Sequence, residues 1–152
     1  YLLGLYYPIM IQYFNNEVHF DLKSKLLVKR WIKTVAEQYN KKCKDINIIF
    51  CSDPALLEIN RQFLGHDYYT DIITFDYCEG DKLSGELYIS IDTVRANADE
   101  YSQKFDVELH RVIIHGILHL VGFDDHTEED IVKMRSAEDD ALELFDSMNE
   151  QN

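Results

Sequence analysis

The sequence predicts an α+β domain in which a small four-stranded sheet packs with several helices. Three observations lead to this prediction. Four short runs rich in β-branched and aromatic residues are typical of strands. Longer segments between and after them carry the spacing of buried helix faces. The chain has 152 residues, of which 46% are hydrophobic, and this is enough to bury the core of one domain.

The predicted elements follow one another without repeats or linkers. Strands are predicted over residues 11–18, 46–51, 72–75 and 86–90, and turn residues between the last two predict a hairpin. Helices are predicted over residues 22–39, 54–64, 93–101 and 105–121, with a last helix after residue 127. Asp21, Asp53 and Thr127 are the predicted N-caps, because their side-chain oxygens can accept hydrogen bonds from a helix start. The buried face of the last helix is predicted to contain Met134, Ala137, Ala141, Leu142 and Phe145.

Two histidines, His115 and His119, lie four residues apart inside a long apolar run. The run is too long for a typical strand and predicts a buried helix, on which residues i and i+4 share one face. Gly122 is expected to end this helix, because glycine adopts the backbone conformation of helix ends at little cost. The chain can then return Asp125 or His126 to the same point.

The resulting pattern, H-x-x-x-H-x-x-G-x-x-D, offers three ligands to one metal ion and leaves a position open for water. Imidazole and carboxylate ligands suit zinc, so a site for one Zn²⁺ ion is predicted. Two buried histidines with backbone partners are the alternative interpretation. The further ligand types at a suitable offset favour the metal.

The charge distribution limits the function classes. A net charge of −13 argues against a simple nucleic-acid binder. Eight of the fifteen basic residues nevertheless fall between Lys23 and Lys44. Among them, Lys25, Lys29 and Lys33 line one face of the first predicted helix. A solvated helix face is the usual explanation of such a run, and contact with RNA is the alternative.

Residues 1–9 are an apolar stretch without an initial Met or a basic segment, and they are too short to span a bilayer. We expect translation to start at Met10, so that residues 10–152 form the domain and residues 1–9 are a non-native extension. The three cysteines show no C-x-x-C spacing and are interpreted as small core residues in a reducing, cytoplasmic compartment.

Residues 115–125 read H-G-I-L-H-L-V-G-F-D-D. They resemble the H-G-x-L-H-L-x-G-[FY]-D-H signature of the YbeY family of metal-dependent single-strand endoribonucleases. The resemblance continues over residues 59–60, 65–67, 70–75, 85–90 and 134–138 and covers essentially everything after residue 9. It implies a mixed sheet packed on helices and a zinc-dependent activity on single-stranded rRNA. It also implies roles in maturation of the 16S 3′ end and in ribosome quality control, with the small ribosomal subunit or its proteins as a partner.

Two positions depart from the family pattern. The family's third ligand is a His six residues after the second one, where this sequence has Asp125. Asp125 is the preferred third ligand, and His126 is the alternative. The family usually has an Arg directly before Gly65, where this sequence has Leu64. Arg61, one helical turn earlier, is a candidate replacement, and an ordinary surface arginine is the alternative.

The hypothesised chemistry is hydrolysis of a phosphodiester by a water molecule that a zinc ion activates, with Arg61 as a further candidate. Arg61, His66 and the lysines of the first helix are candidate phosphate contacts. Gly116 occupies the place of the general-base Glu of H-E-x-x-H zinc peptidases, which argues against peptide hydrolysis. Candidates for stacking on RNA bases, with core packing as the alternative, are Phe63, Tyr68 and Tyr69.

Two other functions remain open on the sequence. One is a non-catalytic ribosome-assembly or rRNA-binding factor in which the metal has a structural role. The other is a metallohydrolase that acts on a different substrate, such as a small phosphoester. Leu64 in place of the family's arginine and the acidic net charge keep the first of these open.

Overall fold

The structure, a computed structural model, describes residues 10–151 of the chain. The prediction about residues 1–9 lies outside the described residues. The elements, in chain order, are β1 (Met10–Asn16), α1 (Lys25–Gln38), β2 (Lys42–Cys51), α2 (Asp53–Ile59), a π-helical turn (Asn60–Leu64), β3 (Ile72–Asp76), β4 (Lys82–Ser90), α3 (Ile91–Glu100), α4 (Phe105–Val121) and α5 (Glu128–Glu150). The predicted α+β class is confirmed. None of these helices is long and apolar enough to cross a membrane.

The four strands form one mixed sheet with the order β1-β2-β4-β3. β1, β2 and β4 run parallel to one another, and β3 pairs antiparallel with β4. The register places Ile72 opposite Ile89 and Asp76 opposite Gly85. β3 and β4 are therefore neighbours joined by a short connection, as the turn residues predicted, and β3 forms one edge of the sheet.

Most of the core lies between one face of the sheet and helices α1, α3, α4 and α5. Trp31 of α1 is fully buried there, and its indole N–H donates a 2.7 Å hydrogen bond to the carbonyl of Ala141 in α5. A smaller cluster on the opposite face joins Leu56 of α2 to Ile49 and Ile73 of the sheet. The predicted buried face of α5 is confirmed, with Leu142 only partly buried at its margin.

Two predicted N-caps are wrong. α1 begins at Lys25 after Ser24, whose φ is 58°, while Asp21 forms a 2.7 Å ion pair with Lys25. α2 is capped by Ser52, which accepts a hydrogen bond from the N–H of Ala55. A serine directly before an acidic residue competes for the cap position, because both side chains can accept from the first N–H groups. The cap at Thr127 is confirmed as a capping box with Asp130.

The predicted second helix also ends differently. Its last five residues, Asn60–Leu64, form a π-helical turn, and Gly65 with a φ of 67° terminates it. Single π turns inside or at the end of a helix are frequent at functional sites. Asn60 is fully buried, and its side-chain amide donates to the carbonyl of Tyr68 at 2.8 Å. The loop after the helix is thereby held against the body of the protein.

α4 approaches the sheet closely because residue 116 has no side chain. A Cβ atom at Gly116 would lie 2.7 Å from Cδ2 of Leu87 and 2.8 Å from Cδ1 of Ile72. A second close approach occurs at Gly85, where a Cβ would collide with the carbonyl oxygen of Phe75. Non-bonded heavy atoms do not pack so closely. A side chain at Gly85 would require the backbone of β3 to move, and one at Gly116 would require the buried side chains of Leu87 and Ile72 to shift.

We predict that Gly116→Ala destabilises the fold, although alanine is the better helix former by about 1 kcal/mol. The added methyl group has no space against Leu87 and Ile72, and overpacking of this kind costs roughly 1–3 kcal/mol. Urea unfolding measures the difference. Ser136→Ala, on the exposed face of α5, is the control and should change stability by less than about 0.5 kcal/mol. A Gly116→Ala variant as stable as the control would contradict the close approach.

Candidate metal centre and active site

Three side chains converge at the C-terminal half of α4. Nε2 of His115 and Nε2 of His119 lie 3.1 Å apart, and Oδ2 of Asp125 lies 3.3 Å from each of them. These three residues form a group that could hold a metal ion. The two histidine side chains are about one quarter exposed and Asp125 is 39% exposed, so one side of the group is open to solvent.

The local sequence explains this convergence. α4 buries Val112, Ile113 and Ile117 against the core, which leaves His115 and His119 together on the flank of the helix. Gly122 ends the helix with a φ of 127°, and its N–H donates to the carbonyl of His119.

The chain then turns back toward the histidines. The ring of Phe123 packs on Tyr39 at the end of α1, with the centroids 5.3 Å apart. Asp125, two residues further on, is thereby placed beside His115 and His119. The predicted helix end and the return of the chain are both present.

Glu138 of α5 holds His115 from behind. Nδ1 of His115 donates to Oε2 of Glu138 at 2.7 Å, and Arg111 donates to Oε1 of the same carboxylate at 2.9 Å. Glu138 is almost completely buried, and each of its two carboxylate oxygens has a hydrogen-bond partner. The ring of His115 is therefore fixed in orientation. A proton on Nδ1 leaves the lone pair of Nε2 free to bind a metal.

Two opposing effects act on the pKa of His115. Burial lowers it, but the hydrogen bond and charge of Glu138, together with the charges of Asp125 and Asp71, outweigh burial and raise the pKa above the ordinary histidine value. The surroundings of His115 therefore favour positive charge at this position. A metal cation would meet the same favourable field.

Two cavities meet at His115, Asp125 and Asp71. The first, of about 560 Å³, opens toward the loop that follows α2; we call it the cleft. The second, of about 390 Å³, lies between α3, α4 and α5. Burial raises the pKa of the Asp71 carboxyl, while the charge of His115 and hydrogen bonds from backbone N–H groups oppose the rise. The lining of the cleft also includes Asn60, Leu64, His66, Tyr68, Thr74, Asp76, Asp124 and His126.

Comparison with known proteins identifies the family. The family model described as Endoribonuclease YbeY matches residues 10–146. The chain belongs to the YbeY family. It is 55% identical over 136 residues to the Endoribonuclease YbeY of Phocaeicola vulgatus, covering 90% of this chain and 99% of that protein. It is 58% identical over 124 residues to that of Bacteroides thetaiotaomicron, covering 82% of this chain and 90% of that protein.

A solved structure extends the YbeY comparison to three dimensions. The solution structure of a Thermotoga maritima protein matches with a TM-score of 0.63 and 28% sequence identity. The match covers 94% of this chain and 96% of that one. The mixed sheet and its helices are therefore shared over nearly the whole length.

The two YbeY departures lie at the cleft. Asp125 is one of the three residues that could hold a metal ion, whereas His126 lines the cleft but is not part of this group. Leu64, at the position where the family usually has an arginine, also lines the cleft. Arg61 does not line it, and its Nε donates instead to Oδ1 of Asp67 at 2.6 Å. The π turn changes the angular spacing of these residues, so one helical turn no longer places Arg61 on the same side as Leu64.

The other predicted contacts are distributed over the surface. His66 lines the cleft and stacks on Tyr68, with the ring centroids 5.1 Å apart. Lys25 pairs with Asp21. Lys25 does not line the cleft, and neither do the other two lysines of α1 or the two remaining aromatic candidates. These residues are Lys29, Lys33, Phe63 and Tyr69.

Sequence reasoning missed Glu138 and Asp71 as parts of the site. A signal for Glu138 was present, because residues 134, 138, 141 and 145 share one face of the last helix and the other three are apolar. An acidic residue on such a face needs a buried partner. For Asp71 the sequence offers no comparable signal, because it lies in an irregular loop.

We predict that Glu138→Gln weakens metal binding by about 10- to 100-fold, since loss of a carboxylate behind a metal-binding histidine has this effect. The amide can still contact Nδ1 of His115 but carries no charge to support it. Zinc affinity is measured by competition with a chromophoric chelator. Asp139→Asn is the matched control, because Asp139 bonds Arg111 but not His115. Equal affinities in the two variants would show that Glu138 does not support the metal.

Proposed function

We propose that this protein is a metal-dependent endoribonuclease that cleaves single-stranded rRNA with one zinc ion held by His115, His119 and Asp125. The observation that carries the proposal is the convergence of these three donors at an open cleft in a chain of the YbeY family. Maturation of the 16S 3′ end and ribosome quality control are the proposed cellular roles. They make the small ribosomal subunit a partner and the cytoplasm the location.

The distances within the donor group support zinc. In a tetrahedral site with bonds of about 2.0–2.1 Å, two ligand atoms lie about 3.3 Å apart. The donor atoms of His115, His119 and Asp125 are separated by 3.1–3.3 Å. Two imidazoles and one carboxylate are ligand types that zinc accepts, and three protein ligands with an open side are typical of catalytic rather than structural sites.

A bound zinc ion would supply activation of a water molecule and stabilisation of negative charge on the phosphoryl oxygens. The protein's own residues position these events. Glu138 fixes the ring of His115 through Nδ1, and the fixed ring directs Nε2 toward the cleft. His66 is held by its contact with Tyr68, whose hydroxyl lies 3.0 Å from Nδ1 of His66. The pair gives the cleft a polar edge and an aromatic edge.

A single-stranded substrate fits the aromatic surface beside the cleft. Tyr68 is 55% exposed, and its neighbours Tyr69 and Phe63 are exposed to a similar degree. Exposed aromatic rings stack on unpaired bases regardless of sequence, and each stacked base contributes about 1–3 kcal/mol. Paired bases are already stacked in a duplex and do not offer this contact.

The position of Gly116 argues against peptide hydrolysis more strongly than its identity alone. Gly116 faces Leu87 and Ile72 of the sheet, whereas the metal-ligand group lies on the flank of α4. A glutamate at this position would meet the core and not the ion. The general base of an H-E-x-x-H peptidase therefore has no counterpart at residue 116.

A second candidate function is a non-catalytic ribosome-assembly factor with a structural metal. The observation that favours it is Leu64, which lines the cleft where an arginine is usual in the family. An apolar side chain there contributes no charge to a transferring phosphoryl group. An RNA cleavage experiment, described next, separates the two functions.

We predict that the metal-loaded protein cleaves a labelled single-stranded RNA. Treatment with a chelator or the substitution His119→Ala should lower cleavage by at least about 100-fold, because metal stabilisation of the developing charge is worth several kcal/mol. Metal content is measured on each preparation. His19→Ala, a substitution of a histidine outside the donor group, is the control and should retain both metal and activity.

Bound metal without cleavage by any preparation would reject the endoribonuclease and favour the assembly factor. Retained association of the metal-free protein with ribosomal subunits would support that conclusion. Cleavage that survives complete removal of the metal would contradict the proposed chemistry.

We predict that Asp125→Ala removes the bound zinc, whereas His126→Ala retains it. Oδ2 of Asp125 lies 3.3 Å from both histidine Nε2 atoms, and His126 is not in the donor group. Elemental analysis of the two purified variants gives the answer, with circular dichroism as the check on folding. Loss of metal from the His126 variant alone would assign the third ligand to His126.

A further inference from the structure

A groove lined by lysines lies at the end of the sheet where β2 and β4 begin. Its volume is about 360 Å³, and it is lined by Lys33, Glu37, Lys42, Cys43, Lys44 and Lys82. We call it the lysine groove. The residues that line it carry a formal net charge of +3, although the whole chain carries a net charge of −13. Positive charge is therefore concentrated here against the overall sign. Its walls are mostly apolar, so the lysines border the groove chiefly with their methylene stems.

The lysines of the groove are not used in ion pairs. Among the described residues 10–151, lysine ion pairs within 4.0 Å involve Lys23, Lys25 and Lys133, and none involves a lysine of the groove. Lys42 and Lys82 are also direct partners in the pairing of β2 with β4. Paired residues of neighbouring strands project from the same face of the sheet, so the two ammonium groups repel each other. An anion bound between them would relieve this repulsion.

We propose that the lysine groove binds the phosphate backbone of the RNA strand that is cleaved in the cleft. The inference rests on the proposed endoribonuclease function and deepens it. Lysine ammonium groups attract phosphates as point charges, and this attraction carries no base specificity. Several of them along a groove provide the electrostatic part of RNA affinity, while the cleft provides the chemistry.

The register of the sheet connects the groove to the cleft. Asp76 lines the cleft and is the pairing partner of Gly85 on β4. Lys82 precedes Gly85 by three residues on the same strand, which is roughly 10 Å at the usual rise of a β-strand. The thiol of Cys78, which follows β3, contacts the carbonyls of Ser84 and Leu120 and fills the space between the strand connection and α4. Side chains alternate between the faces of a strand, so Gly85 and Asp76 face α4 whereas Lys82 and its partner Lys42 project from the opposite face. An RNA strand that leaves the cleft would therefore reach the lysine groove by passing around the end of the sheet where β2 and β4 begin.

The three lysines of α1 have different surroundings, and only one of them lines the groove. Lys25 is occupied by Asp21 at 2.7 Å. Lys29 lies over the ring of Tyr13, with its Nζ 5.4 Å from the ring centroid. Lys33 alone faces the groove. The RNA-binding surface is therefore assembled from one helix lysine and three strand lysines, and not from the helix face as a whole.

The test compares two double variants that each remove two positive charges. Lys42→Ala with Lys82→Ala removes the central pair of the groove. Lys23→Ala with Lys104→Ala is the matched control, because neither of these lysines lines the groove or the cleft. RNA binding is measured on both in a His119→Ala background, so that the RNA is not cleaved. The RNAs are single strands of about 4 and about 16 nucleotides, the range that single-strand binding folds occupy.

We expect the groove variant to bind the longer RNA about tenfold more weakly than the control does at low salt. The slope of log affinity against log salt concentration should be smaller by about 1.4, because each phosphate that the protein neutralises adds about 0.7 to the slope. With His119 intact, the groove variant should cleave the short RNA as fast as the control and the long RNA with a higher KM. Its thermal stability should be unchanged or higher, since the repulsion is gone. The Lys42→Gln, Lys82→Gln variant repeats the test with longer side chains in place.

Equal salt slopes for the groove and control variants would overturn the proposal. Unchanged RNA affinity together with weaker binding to ribosomal proteins of the small subunit would also overturn it and would assign the lysines to a protein partner. Lysine-dependent binding of the long RNA by a metal-loaded protein that cleaves neither RNA would support the groove and reject the endoribonuclease. The experiment can therefore reject either proposal without rejecting the other.

Discussion

The close packing of α4 on the sheet at Gly116 is the constraint on which the rest of the site depends. Leu87 and Ile72 occupy the space beside residue 116, so this side of the helix must face β3 and β4. At about 100° per residue, His115 and His119 then lie about 100° and about 60° to the same side of Gly116. The flank that carries them is therefore fixed at the edge of the sheet, next to β3. The helix could not rotate to bury or expose the histidines without meeting the core.

A second layer of contacts fixes what this geometry alone leaves free. Glu138 is almost completely buried, and a buried carboxylate without partners would be costly. Its two oxygens accept from Arg111 and from His115, so its charge is compensated and its position is determined from both sides. Removing either partner would leave the buried carboxylate only half satisfied. The orientation of His115 is thus tied to the packing of α5 on α4.

The sequence could predict those parts of the site that depend on local geometry. The i, i+4 histidines and the helix end at Gly122 follow from helix periodicity and glycine conformation, and the capping box at Thr127 follows from neighbouring residues. The sequence does not predict that α1 begins after Ser24, because Ser24 adopts a φ of 58° that no residue pattern indicates. Arg61 is expected at the cleft on regular helical spacing, but a π turn begins at Asn60.

The lysines of α1 show most clearly what local sequence cannot predict. Their shared helix face is a property of the sequence, but their partners belong to other parts of the chain. Lys82, which meets the same groove as Lys33, is brought there only by the parallel pairing of β2 with β4. Long-range pairing of this kind is not readable from a single sequence without the fold.

The two departures from the family pattern have one electrostatic consequence in common. With Asp125 in place of a histidine, the proposed zinc site carries a net charge of +1 instead of +2. With Leu64 in place of an arginine, the cleft loses a further positive charge. Asp71, Asp76 and Asp124 also line the cleft. A phosphate backbone is therefore attracted less strongly to this cleft than to one with the usual residues. The affinity for RNA then has to come from stacking and from positive charge outside the cleft. The lysine groove, at the end of the same sheet where β2 and β4 begin, offers such charge. Binding and chemistry are on this account carried by separate surfaces, so a substitution in one can change the affinity for RNA without changing the rate of the step in the other.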